Sequence, residues 1–274
     1  MQNRSIVRSL WAAGIVATLA GVAHAQPLTA LELKCQLKVA TAEAKFVQGK
    51  FKCVSHCWYD YWHSGSMSSF ADCLPPYGGE TALCINDTLL GLKGVENKFS
   101  AGIVKACSPP PTRDCPECYS GGDCNAEASS RVSNVESQVD SFVPGIFCER
   151  ATAMPQTQWC ERGVAKVLSK LVGAEHKCFA KCQSNAFKGL VSVATCQPPP
   201  SDPTTATCMN AAGAKATAAI DKICNDAEVP HSEPACPNVG DYPDGATWTN
   251  LATTWTFGEV AANYCGSPSG AFVE

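Results

Sequence analysis

Beyond residue 25 the chain has no apolar run approaching the ~20 residues that a helix needs to cross a bilayer, so no membrane span is expected. Charge is sparse and unclustered. Only 17% of residues are charged, no long run carries one sign, and the formal net charge is −4. A basic face of the kind that holds nucleic acid phosphates is therefore not expected, and nucleic acid is set aside as a partner. Histidine is scarce, with His56, His63, His176 and His231 the four beyond residue 25. The Gly-x-Ser-x-Gly elbow, the His-Glu-x-x-His zinc helix and the phosphate-cradling glycine loop are all absent. Neither a Cys-x-x-Cys nor a Cys-x-x-x-Cys is followed by His, which excludes c-type haem attachment.

What the chain does have is cysteine, eighteen in all and every one beyond residue 25. The first 25 residues carry Arg4 and Arg8, an apolar stretch from Leu10 to Val22, then Ala23-His24-Ala25 before Gln26. That order is the one of a cleavable export signal. Its removal takes the formal charge to about −6. No cysteine stands at the cleavage point to take a lipid anchor. A periplasmic or extracellular product is expected, and in an oxidising compartment an even number of cysteines reads as a disulfide framework.

The cysteines repeat. Cys35/Cys160, Cys53/Cys178 and Cys57/Cys182 lie 125 residues apart, Cys73/Cys196 lie 123 apart and Cys84/Cys208 lie 124 apart. Beyond these, Cys107/Cys224, Cys118/Cys236 and Cys148/Cys265 stand 117 or 118 apart, a shift of about two helical turns. Val39/Val164, Ala40/Ala165, Lys45/Lys170, Val47/Val172 and Lys52/Lys177 agree as well. Self-similarity of this period marks a repeat architecture. The expected organisation is a signal peptide at 1–25 and two tandem eight-cysteine units at 26–151 and 152–274. The first holds an extra pair, Cys115 and Cys124.

Each unit reads as helical. Cys35, Val39, Ala42, Phe46, Gly49, Cys53 and His56/Cys57 alternate in steps of four and three, and Cys160 to Cys182 repeat the stripe. A second helix is expected over 82–107, matched by 208–224. A third is expected over 132–146, ending near Pro144-Gly145 and matched by 248–264. The fold class is thus mainly α, two stapled units of antiparallel helical hairpins with loop-rich connectors. Helices folded back on each other bring cysteines together in nested order. That order gives Cys57–Cys73, Cys53–Cys84 and Cys35–Cys107, and in the second unit Cys182–Cys196, Cys178–Cys208 and Cys160–Cys224. Cys118–Cys148 and Cys236–Cys265 would complete the units, and Cys115 and Cys124 would pair with each other.

Residues present in one unit only are the better candidates for a specific task. Trp58, Tyr59, Tyr61 and Trp62 face Gln183, Ser184, Ala186 and Phe187 of the other unit, and form either a stacking surface for a ligand or packing over a hairpin end. His56, Asp60 and His63 fall at i, i+4 and i+7, a helix face with the donors of a zinc or copper site. The alternative is a solvated face. Cys115-Pro-Glu-Cys118 has redox spacing in a Pro/Gly-rich connector, where a structural role is expected. No cofactor is expected.

Cysteines at both ends of a Lys/Ala-rich helix, in Lys34-Cys35-Gln36, Lys52-Cys53 and His56-Cys57, resemble the Cys-rich helical repeats of uncharacterised secreted bacterial proteins. The resemblance implies export and helical repeats, and no activity. Two function classes remain. One is a secreted structural or binding protein for an extracellular ligand or protein, with a small apolar-ligand or lipid carrier as a variant. The other is a secreted enzyme whose site is assembled from scattered residues.

Overall fold

The computed structural model describes residues 28–63, 69–86, 94–108, 115–147, 155–225 and 244–265. The expected signal peptide at 1–25, Cys148, His231 and Cys236 lie outside them. The described residues are mainly helical and contain no strand: α1 (Ala30–His63), α2 (Gly79–Ile85), α3 (Val95–Cys107), α4 (Cys124–Ile146), α5 (Pro155–Phe187), α6 (Pro203–Asn225) and α7 (Gly245–Asn263).

Helices α1 and α5, each about 50 Å long at 1.5 Å per residue, form the centre. Contacts fix their direction, since Glu43 meets His176 while Tyr59 meets Arg162. Residue numbers rise on one helix as they fall on the other, so the pair is antiparallel. The apolar stripe of α1 is buried as its spacing predicts: Cys35, Val39, Phe46, Cys53 and Cys57 are all at most 4% exposed. Phe51, Val47 and Val54 are buried too, because α5 covers a second side of α1 that the three-and-four pattern does not mark. Helix α3 lies along α1, where Phe46 and Phe99 stack at 5.1 Å, and α6 lies along α5.

The second helix of the first unit differs from the sequence expectation. Asn86 leaves the helical region (φ −127°, ψ 83°) and Gly94 begins α3 from an extended conformation (ψ 160°). What the periodicity joins is therefore two helices, α2 and α3. Helix α1 runs six residues past Cys57 to His63, and α4 carries Pro144 within its last turn. Helix α7 starts on Asp244, whose carboxylate accepts from the Thr247 amide, as Asp123 accepts from Asn125 and Ala126 to start α4.

The disulfides follow the nested order in both halves. Cys35–Cys107 and Cys160–Cys224 have Cα separations of 4.6 and 4.8 Å. The corresponding values are 5.8 and 5.8 Å for Cys53–Cys84 and Cys178–Cys208, and 5.5 and 5.7 Å for Cys57–Cys73 and Cys182–Cys196. Cys115 is bonded to Cys124.

The remaining expectation is overturned. Cys118 is bonded to Cys265, 147 residues away, and not to Cys148; Cys265 is thereby not available to Cys236. Helix α4 supplies the reason. Cys118 stands just before its start, and its far end at Ile146, two residues short of Cys148, lies roughly 35 Å along the axis. No disulfide spans that distance. Helices α4 and α7 are antiparallel, with Arg131 on Asn263, Gln138 on Glu259 and Phe142 beside Trp255. The end of α7 is thus delivered to the start of α4.

Candidate functional site

The aromatic segment ends α1, and its rings do not form one open face. Trp58 is 2% exposed, enclosed by Phe70, Phe147, Tyr61 and Trp62 at ring centroid distances of 5.2, 5.7, 5.9 and 6.4 Å. Tyr61 and Trp62 pack against the same core. Of the two readings of this segment, a stacking surface and packing, Trp58, Tyr61 and Trp62 follow the second, because the helix continues past Cys57 and turns Trp58 inward. Tyr59 alone is substantially exposed, sandwiched by the His63 ring at 4.1 Å and the Arg162 guanidinium at 4.8 Å.

The three donors expected of a metal face are not gathered. His56 Nδ1 pairs with Asp60 at 2.7 Å, while His63 turns to Tyr59 and donates from Nδ1 to its carbonyl at 3.0 Å. Among the described residues no group of three or more His, Cys, Asp or Glu side chains is disposed to hold a metal ion. Cys115 and Cys118 are both in structural bonds.

Two other sites stand out. Between α1 and α3 runs a groove of about 640 Å³, within the size range of ligand pockets. Phe46, Phe99 and Ala42 line its floor. Five exposed lysines rim it: Lys34, Lys38 and Lys45 from α1, Lys98 and Lys105 from α3. At 100° per residue the three on α1 fall within one narrow stripe. Among the described residues no carboxylate lines this groove. The acidic composition thus conceals a basic face that helical spacing creates.

The second site lies between α4 and α7, above a buried ionic network. Arg131 donates from Nε to Glu127, from Nη1 to Asn263 at 2.5 Å and from Nη2 to the Ala262 carbonyl at 2.5 Å. Asn263 donates to Glu43 at 2.6 Å, and Glu43 Oε1 stands 3.0 Å from His176 Nε2 without the alignment of a hydrogen bond. Glu175 accepts from Thr253 at 2.6 Å, and Glu259 from Gln138 at 2.6 Å. Burial, with Glu43 nearby, pushes the Glu259 carboxyl up to about 7, and burial raises Glu175 as well. None of this was legible in the sequence, where Glu43 and His176 are separated by 133 positions and sit on stripes that read as solvent-facing.

Set against family models, curated proteins and solved structures, the chain matches none.

Proposed function

We propose that the chain is an exported binding protein made of two copies of one stapled unit, at 26–151 and 152–274, and that the groove between α1 and α3 holds an anionic amphiphile. The matched Cα separations of three disulfide pairs support the two-copy reading. The bonded cysteines fit an oxidising compartment, and the order of residues 4 to 26 fits export.

One observation carries the ligand class: five lysines surround a phenylalanine floor, with no carboxylate among the described residues that line it. An alkyl chain laid on Phe46 and Phe99 gains about 0.8 kcal/mol per buried methylene. A carboxylate or phosphate head at the rim meets charges that otherwise repel one another across the groove. The lysine stems themselves extend the apolar wall.

Calorimetric titration with dodecanoate, dodecanol and dodecyltrimethylammonium tests the reading. Dodecanoate binds, the alcohol binds at least tenfold more weakly, and the cation does not bind. Lys38→Glu/Lys98→Glu/Lys105→Glu reduces dodecanoate affinity at least tenfold, and added salt weakens binding. Equal binding of acid and alcohol, or an unaffected charge-reversed variant, rejects it. Displacement of dodecanoate by short duplex DNA at comparable concentration would replace it with a polyanion site.

A further inference from the structure

The pockets on either side of Gln138 and Gly258 share those two residues and form one cleft along α4 and α7. Its ends differ in chemistry. One end presents Phe142 and Trp255, with ring centroids 6.1 Å apart. The other presents Glu259, Glu127 and Tyr264 over the ionic network.

In the register of the two-copy reading, on which this comparison rests, the two ends are one structure seen twice. Residues 117 apart match Arg131 with Trp248, Gln138 with Trp255, Phe142 with Glu259 and Ile146 with Asn263. The Gln138–Glu259 contact at one end is then the counterpart of Trp255–Phe142 at the other. On the central helices Glu43 and His176 correspond to Leu168 and Phe51, 125 apart, so the same division runs through the core. One end of the interface between the copies has become ionic while its twin stayed apolar.

The ionic end is short of positive charge. Glu43, Glu127, Glu175 and Glu259 are buried there against Arg131 and His176. Arg131 is committed on all three of its nitrogens. Among the described residues Glu259 receives one donor, on Oε1, and lines the pocket that adjoins the two rings. Trp255 and Glu259 stand at i and i+4 on α7, side chains roughly 6 Å apart.

We infer that this cleft binds a small primary ammonium with an apolar or aromatic body, the ammonium on Glu259 and the body against Phe142 and Trp255. The ammonium donates to Glu259 and supplies the missing charge. A ring or alkyl segment one helical turn away covers Trp255, with the ring face available to the cation as well.

The test uses 2-phenylethylammonium on the full chain, with tryptophan fluorescence and calorimetry, against neutral 2-phenylethanol and anionic 3-phenylpropanoate. The amine binds at least tenfold more tightly than the alcohol, and the acid does not bind. Glu259→Gln and Trp255→Ala each weaken the amine at least tenfold with far-UV circular dichroism unchanged. Glu259 is faced by Glu43 from α1, Arg131 and Gln138 from α4 and His176 from α5. With its carboxyl near 7, amine affinity rises about tenfold from pH 6 to pH 8. Lys98→Glu/Lys105→Glu leaves amine binding unchanged, so the fate of this site is separate from that of the lysine-rimmed groove. Amine and alcohol binding equally to the unaltered chain overturns the inference, as does full affinity in Glu259→Gln. The ligand comparison decides it even where a variant fails to fold.

Discussion

Replacing Lys50 by Met isolates a buried cation held between two carboxylates. The Lys50 side chain is fully buried, its Nζ 2.7 Å from Glu136 and 2.7 Å from Asp140 on α4 and 5.1 Å from the centroid of the Tyr77 ring. Met keeps the stem's length and flexibility, so little cavity is created. What is lost is the cation between two carboxylates, and breaking a buried pair costs about 3–5 kcal/mol. Glu136 and Asp140 are 30% and 21% exposed, so water takes over part of the lysine's role and the lower end, about 3 kcal/mol, applies. In a urea titration followed by circular dichroism with disulfides intact, that is a midpoint lower by roughly 1 M. Adding Glu136→Gln and Asp140→Asn removes the stranded repulsion, leaves Tyr77 a partner at residue 140, and restores at least half of the loss. A K50M cost below about 1 kcal/mol, or a triple variant weaker than K50M, refutes the reasoning.

Peptide mapping under non-reducing conditions finds Cys118 linked to Cys265; a Cys118–Cys148 peptide contradicts the antiparallel placement of α4 and α7. Stability falls as pH rises from 5 to 8. Glu96 and Glu259 are pushed up to about 7, Glu96 by burial and its hydrogen bond to Glu136, and Glu175 is also raised by burial. The folded chain therefore keeps protons that the unfolded chain has released, and ionising these groups opposes folding. Urea midpoints at pH 5, 6.5 and 8 check the trend, which Glu96→Gln with Glu259→Gln flattens. Below about pH 4 stability is lost again, because Asp72, Asp202 and Asp244 are held low by the backbone amides and hydroxyls they cap.

The helices and six nested disulfides were legible because cysteine at the ends of a three-and-four stripe is a local signal. The exchange at Cys118 was not, because it depends on how α4 and α7 meet, and no local spacing encodes that. Lys50 shows a second limit. In composition it is one more lysine of a Lys-rich helix, yet α4 covers it and leaves Lys45 and Lys52, on the other side of the helix, in water. Trp58 shows a third. An aromatic run at the end of a helix reads as exposed until the helix is seen to continue, which presses its first ring against Phe147. The buried charges at Glu43 and His176 needed the pairing of α1 with α5, a contact between residues more than a hundred apart.

The Cys118–Cys265 bond also sets the order in which the chain becomes oxidised. Cys118 emerges during synthesis after Cys107 and Cys115 and shortly before Cys124, while its own partner is still 147 residues from being made. A thiolate left unpaired beside disulfides already formed can attack them, so thiol–disulfide exchange is one route to its final bond. Vectorial oxidation from the N-terminus can lock the first helices early. It cannot finish the molecule, because the Cys118–Cys265 bond must wait for Cys265.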